Sequence, residues 1–198
     1  SRDWEAVSAV VFRRAGSAVT AEQRACAAVL DAGGDAVLSH FSAARLWGLQ
    51  GCSLRPFHVT RTTQSRRRCE LAVVHRVRLL PSRWTTTLEG IKIVSPELLA
   101  IQMFAACRSE ERAERLVDRL WALRLLSGRS IATCLGDLGA SGRNGVGGLR
   151  RYLEPRGVEY TPPATGLEGR VAVLLAGAGI AVRPQVDSGG ERWTGRVD

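Results

Sequence analysis

The run that most constrains this chain begins at Ser95-Pro96, a serine N-cap followed by proline at the first helical position. The helix it starts carries Leu98, Leu99, Ile101, Met103 and Phe104. So apolar a helix offers water little surface and belongs at the centre, with the rest of the chain around it. That rest is made of shorter pieces of both kinds. Thr20-Ala21-Glu22-Gln23 reads as a capping box, with the Thr20 hydroxyl accepting from the Gln23 amide and Gln23 reaching back. Its helix runs to about Asp31 and stops at Gly33-Gly34. Ala36-Val37-Leu38 is short and extended, and Ser39 can cap a second short helix through about Trp47. Ser109 opens a longer amphipathic helix on which Leu116, Leu120, Trp121 and Leu123 share a face, and residues 130–138 form another helical piece.

Strand candidates lie at residues 56–60, 71–79 and 91–94. In the middle one Val74, Arg76 and Arg78 alternate with His75, Val77 and Leu79, which gives a wet face carrying arginines. Residues 4–19, with Ala9-Val10-Val11-Phe12 before the turn Arg13-Arg14-Ala15-Gly16, are expected to be extended. The class expected is α/β (α+β): helices with a small, mostly antiparallel sheet, then a helical connector. The glycine-rich residues 136–148 are the best linker candidate. After Thr161-Pro162-Pro163 a new unit is expected, in which Thr165-Gly166-Leu167-Glu168 caps a helix carrying Leu174 and Leu175. Two strands at 180–186 and 191–198 would follow, made antiparallel by the turn Asp187-Ser188-Gly189-Gly190.

Charge points to a partner. Lysine and arginine number 28 against 19 aspartates and glutamates, a formal net charge of +9. Lys92 is the only lysine, so the positive charge is almost wholly guanidinium, which suits bidentate phosphate recognition. A polyanion, DNA above all, is the favoured partner, although arginine with abundant alanine and glycine is also what a GC-rich genome's codon usage produces. The loop Arg61-Thr62-Thr63-Gln64-Ser65-Arg66-Arg67-Arg68 is long and basic enough to lie along a phosphate backbone, or else is a solvated hairpin tip. No stretch approaches the roughly 18 to 20 apolar residues of a membrane span, and Ser-Arg-Asp-Trp-Glu does not start as a secretory signal does, so a cytoplasmic protein without membrane contact is expected. Five cysteines stand singly, with no CxxC, and are expected to be reduced and structural. His40, His58 and His75 are 18 and 17 residues apart with no acidic or cysteine companion at ligand spacing, which disfavours metal binding; His40 beside Ser39 is expected to hydrogen-bond locally.

The string Ser39-His40-Phe41-Ser42-Ala43-Ala44-Arg45-Leu46-Trp47-Gly48-Leu49 carries a resemblance. Together with Thr20-Ala21-Glu22-Gln23-Arg24, Val74-His75-Arg76 and Gly90-Ile91-Lys92-Ile93-Val94-Ser95-Pro96-Glu97, in that order, it resembles actinobacterial proteins that fuse an AbiEi-type antitoxin-like region to a very-short-patch-repair (Vsr-like) endonuclease domain. The resemblance implies a remnant of a winged-helix wing at 1–19, an antitoxin-like α/β region at 20–108, a helical region and linker at 109–160, and the start of a restriction-endonuclease-like core at 161–198. With the recognition helix of such a module not in the sequence, Arg13, Arg14, Arg61, Arg66, Arg67 and Arg68 would give only backbone contacts to DNA. Where the family usually has an Arg-Thr pair and an aspartate after Ser-Pro-Glu, this chain has Leu98, Leu99 and Gln102.

In the PD-(D/E)xK logic the resemblance also makes Asp198, in Arg196-Val197-Asp198, the first metal-binding aspartate, and Glu168 the helix acid. Mg²⁺ held there would activate water and offset charge on the scissile phosphate. Glu168 is equally placed to complete a capping box, and Asp198 is the last residue. Three functions are therefore expected in order: a Mg²⁺-dependent DNA endonuclease whose site is incomplete in this chain, an AbiEi-like antitoxin and transcriptional regulator without nuclease activity, and an interaction scaffold. A cognate toxin or a second copy of the chain is a further expected partner. Weak DNA binding without cleavage is the expectation for these 198 residues.

Overall fold

The computed structural model describes residues 3–62, 68–139, 142–156, 171, 174–175 and 178–180. Among them the order is β1 Trp4–Ala6, β2 Phe12–Arg14, α1 Ala21–Ala32, β3 Val37–Leu38, α2 His40–Leu46, β4 Phe57–Arg61, β5 Ala72–Arg76, a 3-10 turn Ser82–Trp84, β6 Thr85–Leu88, β7 Ile91–Val94, α3 Pro96–Ala106, α4 Glu110–Ala122, α5 Gly128–Leu138 and α6 Val146–Leu153. The fold is of the mixed α/β class. No helix of the described residues is long and apolar enough to cross a membrane.

The apolar helix sits where its composition demands. The Ser95 hydroxyl accepts from the Leu98 amide, and Leu98, Leu99, Ala100, Ile101 and Met103 on α3 have no exposed surface. Helices α2, α4, α5 and α6 all pack against it. One hydrophobic cluster runs from Ala25 on α1 to Tyr152 on α6, so the helices after residue 109 share a core with the sheet. The glycine-rich residues expected to form a linker are part of this packing. Gly148 lets α6 approach so closely that an added Cβ would lie 2.7 Å from Phe104 Cδ1, and Gly145 faces the Ile101 carbonyl with φ of +91°. Glycine here permits contact between helices as well as a turn.

The five-stranded sheet has the order β5-β4-β3-β7-β6. β3 pairs antiparallel to β4 and parallel to β7; β4 and β5 are parallel, and β6 and β7 antiparallel. Because β4 and β5 run the same way, the basic connection between them is a crossover rather than a hairpin tip. β5 is shorter than the alternation predicts: β4 gives out at Arg61, whose carbonyl accepts from the Val77 amide, and beyond that residues 77–80 have no strand to follow. β6 went unpredicted because Thr85-Thr86-Thr87-Leu88 lacks an apolar alternation. Glu89 and Gly90, with φ of +49° and +80°, turn it tightly onto β7, where Leu88 faces Ile91.

Other local signals are met in altered form. Residues 4–14 hold both strands of a hairpin, with Glu5 opposite Arg13, so Arg13 and Arg14, expected in a turn, lie on β2 and the chain reverses between residues 6 and 12 instead. The Thr20 hydroxyl accepts from the Gln23 amide at 3.1 Å, and the Ser109 hydroxyl from that of Arg112. α5 starts earlier than expected, at Gly128, through a reciprocal Ser127 and Ser130 capping box. Leu116, Leu120 and Trp121 of α4 are buried, whereas Leu123 lies past the helix end and is exposed.

Candidate functional site

Parallel pairing of β4 with β5 sets His75 opposite Thr60, and strand alternation puts His58, two residues before Thr60, on the same face. His58 Nδ1 and His75 Nε2 are 2.9 Å apart, a hydrogen bond in which one ring donates and the other accepts. His40, the first residue of α2, covers them: its ring stacks on that of His75 with centroids 3.7 Å apart and planes 23° from parallel. Three histidines far apart in sequence thus form one cluster.

The backbone of His40 is held in an unusual state. Its φ is +52°, in the left-handed region that non-glycine residues seldom adopt. Its amide donates to Gln102 Oε1 at 3.0 Å, and Gln102 Nε2 donates to Thr60 Oγ1 at 3.2 Å, so this buried glutamine of α3 ties α2 to β4. The role of Gln102 here is to satisfy the His40 amide. Ser39 does not cap α2 as expected, because its hydroxyl lies 2.9 Å from His40 Nδ1 instead. Strained backbone held by surrounding structure is often found where a side chain must be aimed for use.

His40 and His75 form the floor of a cleft of about 610 Å³. Residues 76–79, which run on from His75, also line it, as do Gln102, Arg143 and Asn144; Arg76 itself, in register with Arg61, lies on the face of β5 opposite His75. Arg143, half-buried, donates to the Leu79 carbonyl and so joins the segment before α6 to the end of β5. Burial pushes its guanidinium down from the ordinary arginine value. No acidic side chain is among the described residues lining the cleft. Burial, and then His75 and His58, push the His40 imidazole down to about 3. Burial also lowers His58, and lowers His75 with a further contribution from His58. The resting cluster is therefore mainly neutral at pH 7. Among the described residues no group of three or more His, Cys, Asp or Glu is arranged to hold a metal ion.

The arginines singled out from the sequence are dispersed. Arg13 is ion-paired with Glu5 across the β1–β2 hairpin, and Arg14 is exposed beside it. Arg61 is 3% exposed, and its guanidinium donates to the Ala32 carbonyl, so it joins β4 to the end of α1. Arg68 is exposed. Arg66, Arg67, Glu168 and Asp198 lie outside the described residues. The cleft residues Arg76, Arg78, Gln102 and Arg143 were not singled out as a site, since bringing them together needs the parallel β4–β5 pairing and the close packing of α6. No protein-family model matches the chain, and no curated protein or solved structure matches it either.

Proposed function

We propose that this chain is a DNA-associated protein whose exposed arginines grip the phosphate backbone, in keeping with the antitoxin-like region it resembles. The observation that carries this reading is the charge, 28 lysines and arginines against 19 aspartates and glutamates and almost all of it guanidinium, with Arg76 and Arg78 exposed at the end of β5. Guanidinium groups bind phosphate oxygens in pairs, and each phosphate neutralised releases condensed counterions. Contacts of this kind hold a protein on a duplex without reading its sequence. Arg14 and Arg68, exposed elsewhere, would extend the basic surface. A cytoplasmic setting accompanies this reading. Its nuclease part, with Mg²⁺ at Asp198 and Glu168, is carried by the resemblance alone.

The test is fluorescence anisotropy of a labelled duplex over a series of salt concentrations. The logarithm of affinity should fall against the logarithm of salt by about 0.9 for each phosphate contacted. Replacing Arg76 and Arg78 together with glutamine should reduce that slope by about 1 to 2 and weaken binding by a similar factor for unrelated duplexes. An unchanged slope would remove the end of β5 from the DNA interface. Plasmid cleavage with Mg²⁺ or Mn²⁺, compared with Asp198→Asn, then separates an endonuclease from a regulator: only the endonuclease cuts, and only with Asp198 intact.

A further inference from the structure

A groove of about 410 Å³ opens between the β1–β2 hairpin and α1, over Phe57, which lies on the face of β4 opposite His58. Its floor is apolar and buried, formed by Val11, Ala27 and Phe57. Its sides are apolar and exposed. Phe12 from the hairpin is 58% exposed, and Val19 and Leu30, before and near the end of α1, are 46% and 60% exposed. On α1 Gln23, Ala27 and Leu30 recur at helical spacing, so one stripe of that helix lines the groove.

The apolar surface continues past the groove. The hairpin register sets Ala6 opposite Phe12 and Trp4 opposite Arg14, so alternation puts all four on one face, and Trp4 is 57% exposed. A lone exposed apolar side chain needs no explanation, but three around a groove and a fourth beyond it mark a surface that gains by being covered.

Charge at the mouth is one-sided. Arg14, Arg24 and Arg55 line the groove, are exposed, and have no ion-pair partner among the described residues. The Arg55 guanidinium stands 5.6 Å from the centroid of the Phe57 ring, which places that charge at the groove floor. Arg13 is neutralised by Glu5, and Glu70 is the one acid among the described lining residues. A phosphate backbone would meet these arginines but leave the apolar sides in water. A small amphiphilic acid of the groove's volume would leave Trp4 bare. We propose that the groove docks an acidic amphipathic helix of a partner protein, its apolar side chains seated between the hairpin and α1 and its flanking carboxylates against Arg24 and Arg55. This goes beyond the DNA reading and does not depend on it.

The probe is a labelled helical peptide of about 14 residues, with leucines along one stripe and glutamates beside them, followed by fluorescence anisotropy against the full chain. It should bind with a Kd on the order of 10 μM, more weakly as salt rises, and a peptide with lysine in place of each glutamate should not bind. Leu30→Gln should weaken binding by about tenfold, and Arg24→Gln with Arg55→Gln should flatten the salt dependence. All three side chains are exposed, so circular dichroism of the variants should match the wild type. Equal binding of the lysine peptide, or undiminished binding by Leu30→Gln, would overturn the proposal. So would dodecanoate binding without the peptide, which makes the groove a small-molecule pocket, or a dimer that Leu30→Gln dissociates on sedimentation, which makes it an interface between copies. A duplex weakened by Leu30→Gln as much as the peptide would give this face to DNA instead. Peptide bound with no duplex binding would leave the groove standing and overturn the DNA reading.

Discussion

Asp31 has no exposed surface, yet its carboxyl is held well below the usual carboxylate range. Burial pushes it up, and the Ser8 hydroxyl, the Cys69 thiol and the Leu71 and Glu70 amides together outweigh that push. These donors come from the bend between β1 and β2 and from the start of β5, so one side chain ties three parts of the chain together. Asp31→Asn should lower stability by about 2 kcal/mol, since an amide presents donors to donors. Urea denaturation should show an earlier midpoint with an unchanged slope. A depressed carboxylate contributes stability above its unfolded value of about 3.9 and loses it as the pH falls further, so the acid limb of the wild type should be flatter in Asp31→Asn. Little of this could be read in advance: Asp31 looked like the end of a helix, and nothing local announces partners 23 and 38 residues away. Arg61 is similar, a charge assigned to a surface loop that closes onto a carbonyl instead.

Helices were the most legible elements, because their start signals are local. Ser95-Pro96, Ser109 and Thr20 each lie at a helix N-cap with the hydroxyl accepting from the expected amide. The joining of α6 to α3 was hidden, since glycine in a sequence says only that a side chain is missing. Gly145→Ala should cost about 3 kcal/mol or more, because its Cβ would collide with the Ile101 carbonyl and its φ of +91° disfavours alanine. Gly136→Ala is the matched control. It lies within α5 with nothing near an added Cβ, and alanine should raise stability there by about 0.5 to 1 kcal/mol. Thermal melting of the two variants should move in opposite directions; a shared direction would contradict the packing of α6 on α3.

For the molecule as a whole, the sign of the charge was legible and its arrangement was not. Composition pointed to a polyanion, but the cleft depends on a strand pairing that sets His75 beside His58 and on Arg143 meeting the Leu79 carbonyl. The histidine cluster gives the whole fold a pH dependence. Each imidazole is lowered in the folded state, so unfolding takes up protons once the pH drops below the unfolded value of about 6.5. Stability should be fully present above that pH and fall progressively below it, for His40 down to its folded value of about 3, and a His75→Gln variant should lose less as the pH falls below about 6.5.

The middle strand of the sheet, Val37–Leu38, is only two residues long, and on the β7 side Leu38 meets Ile93 alone. The sheet is in effect two leaves on a narrow spine. One leaf, β4 with β5, carries His58, His75 and Arg76; β7 of the other leads directly into α3, which carries Gln102. The cleft lies between the end of β5 and α3, so its width is tied to how far the spine lets the two leaves part. Amide hydrogen exchange should divide along that line, with residues 57–61 and 91–94 protected as two separate groups rather than one.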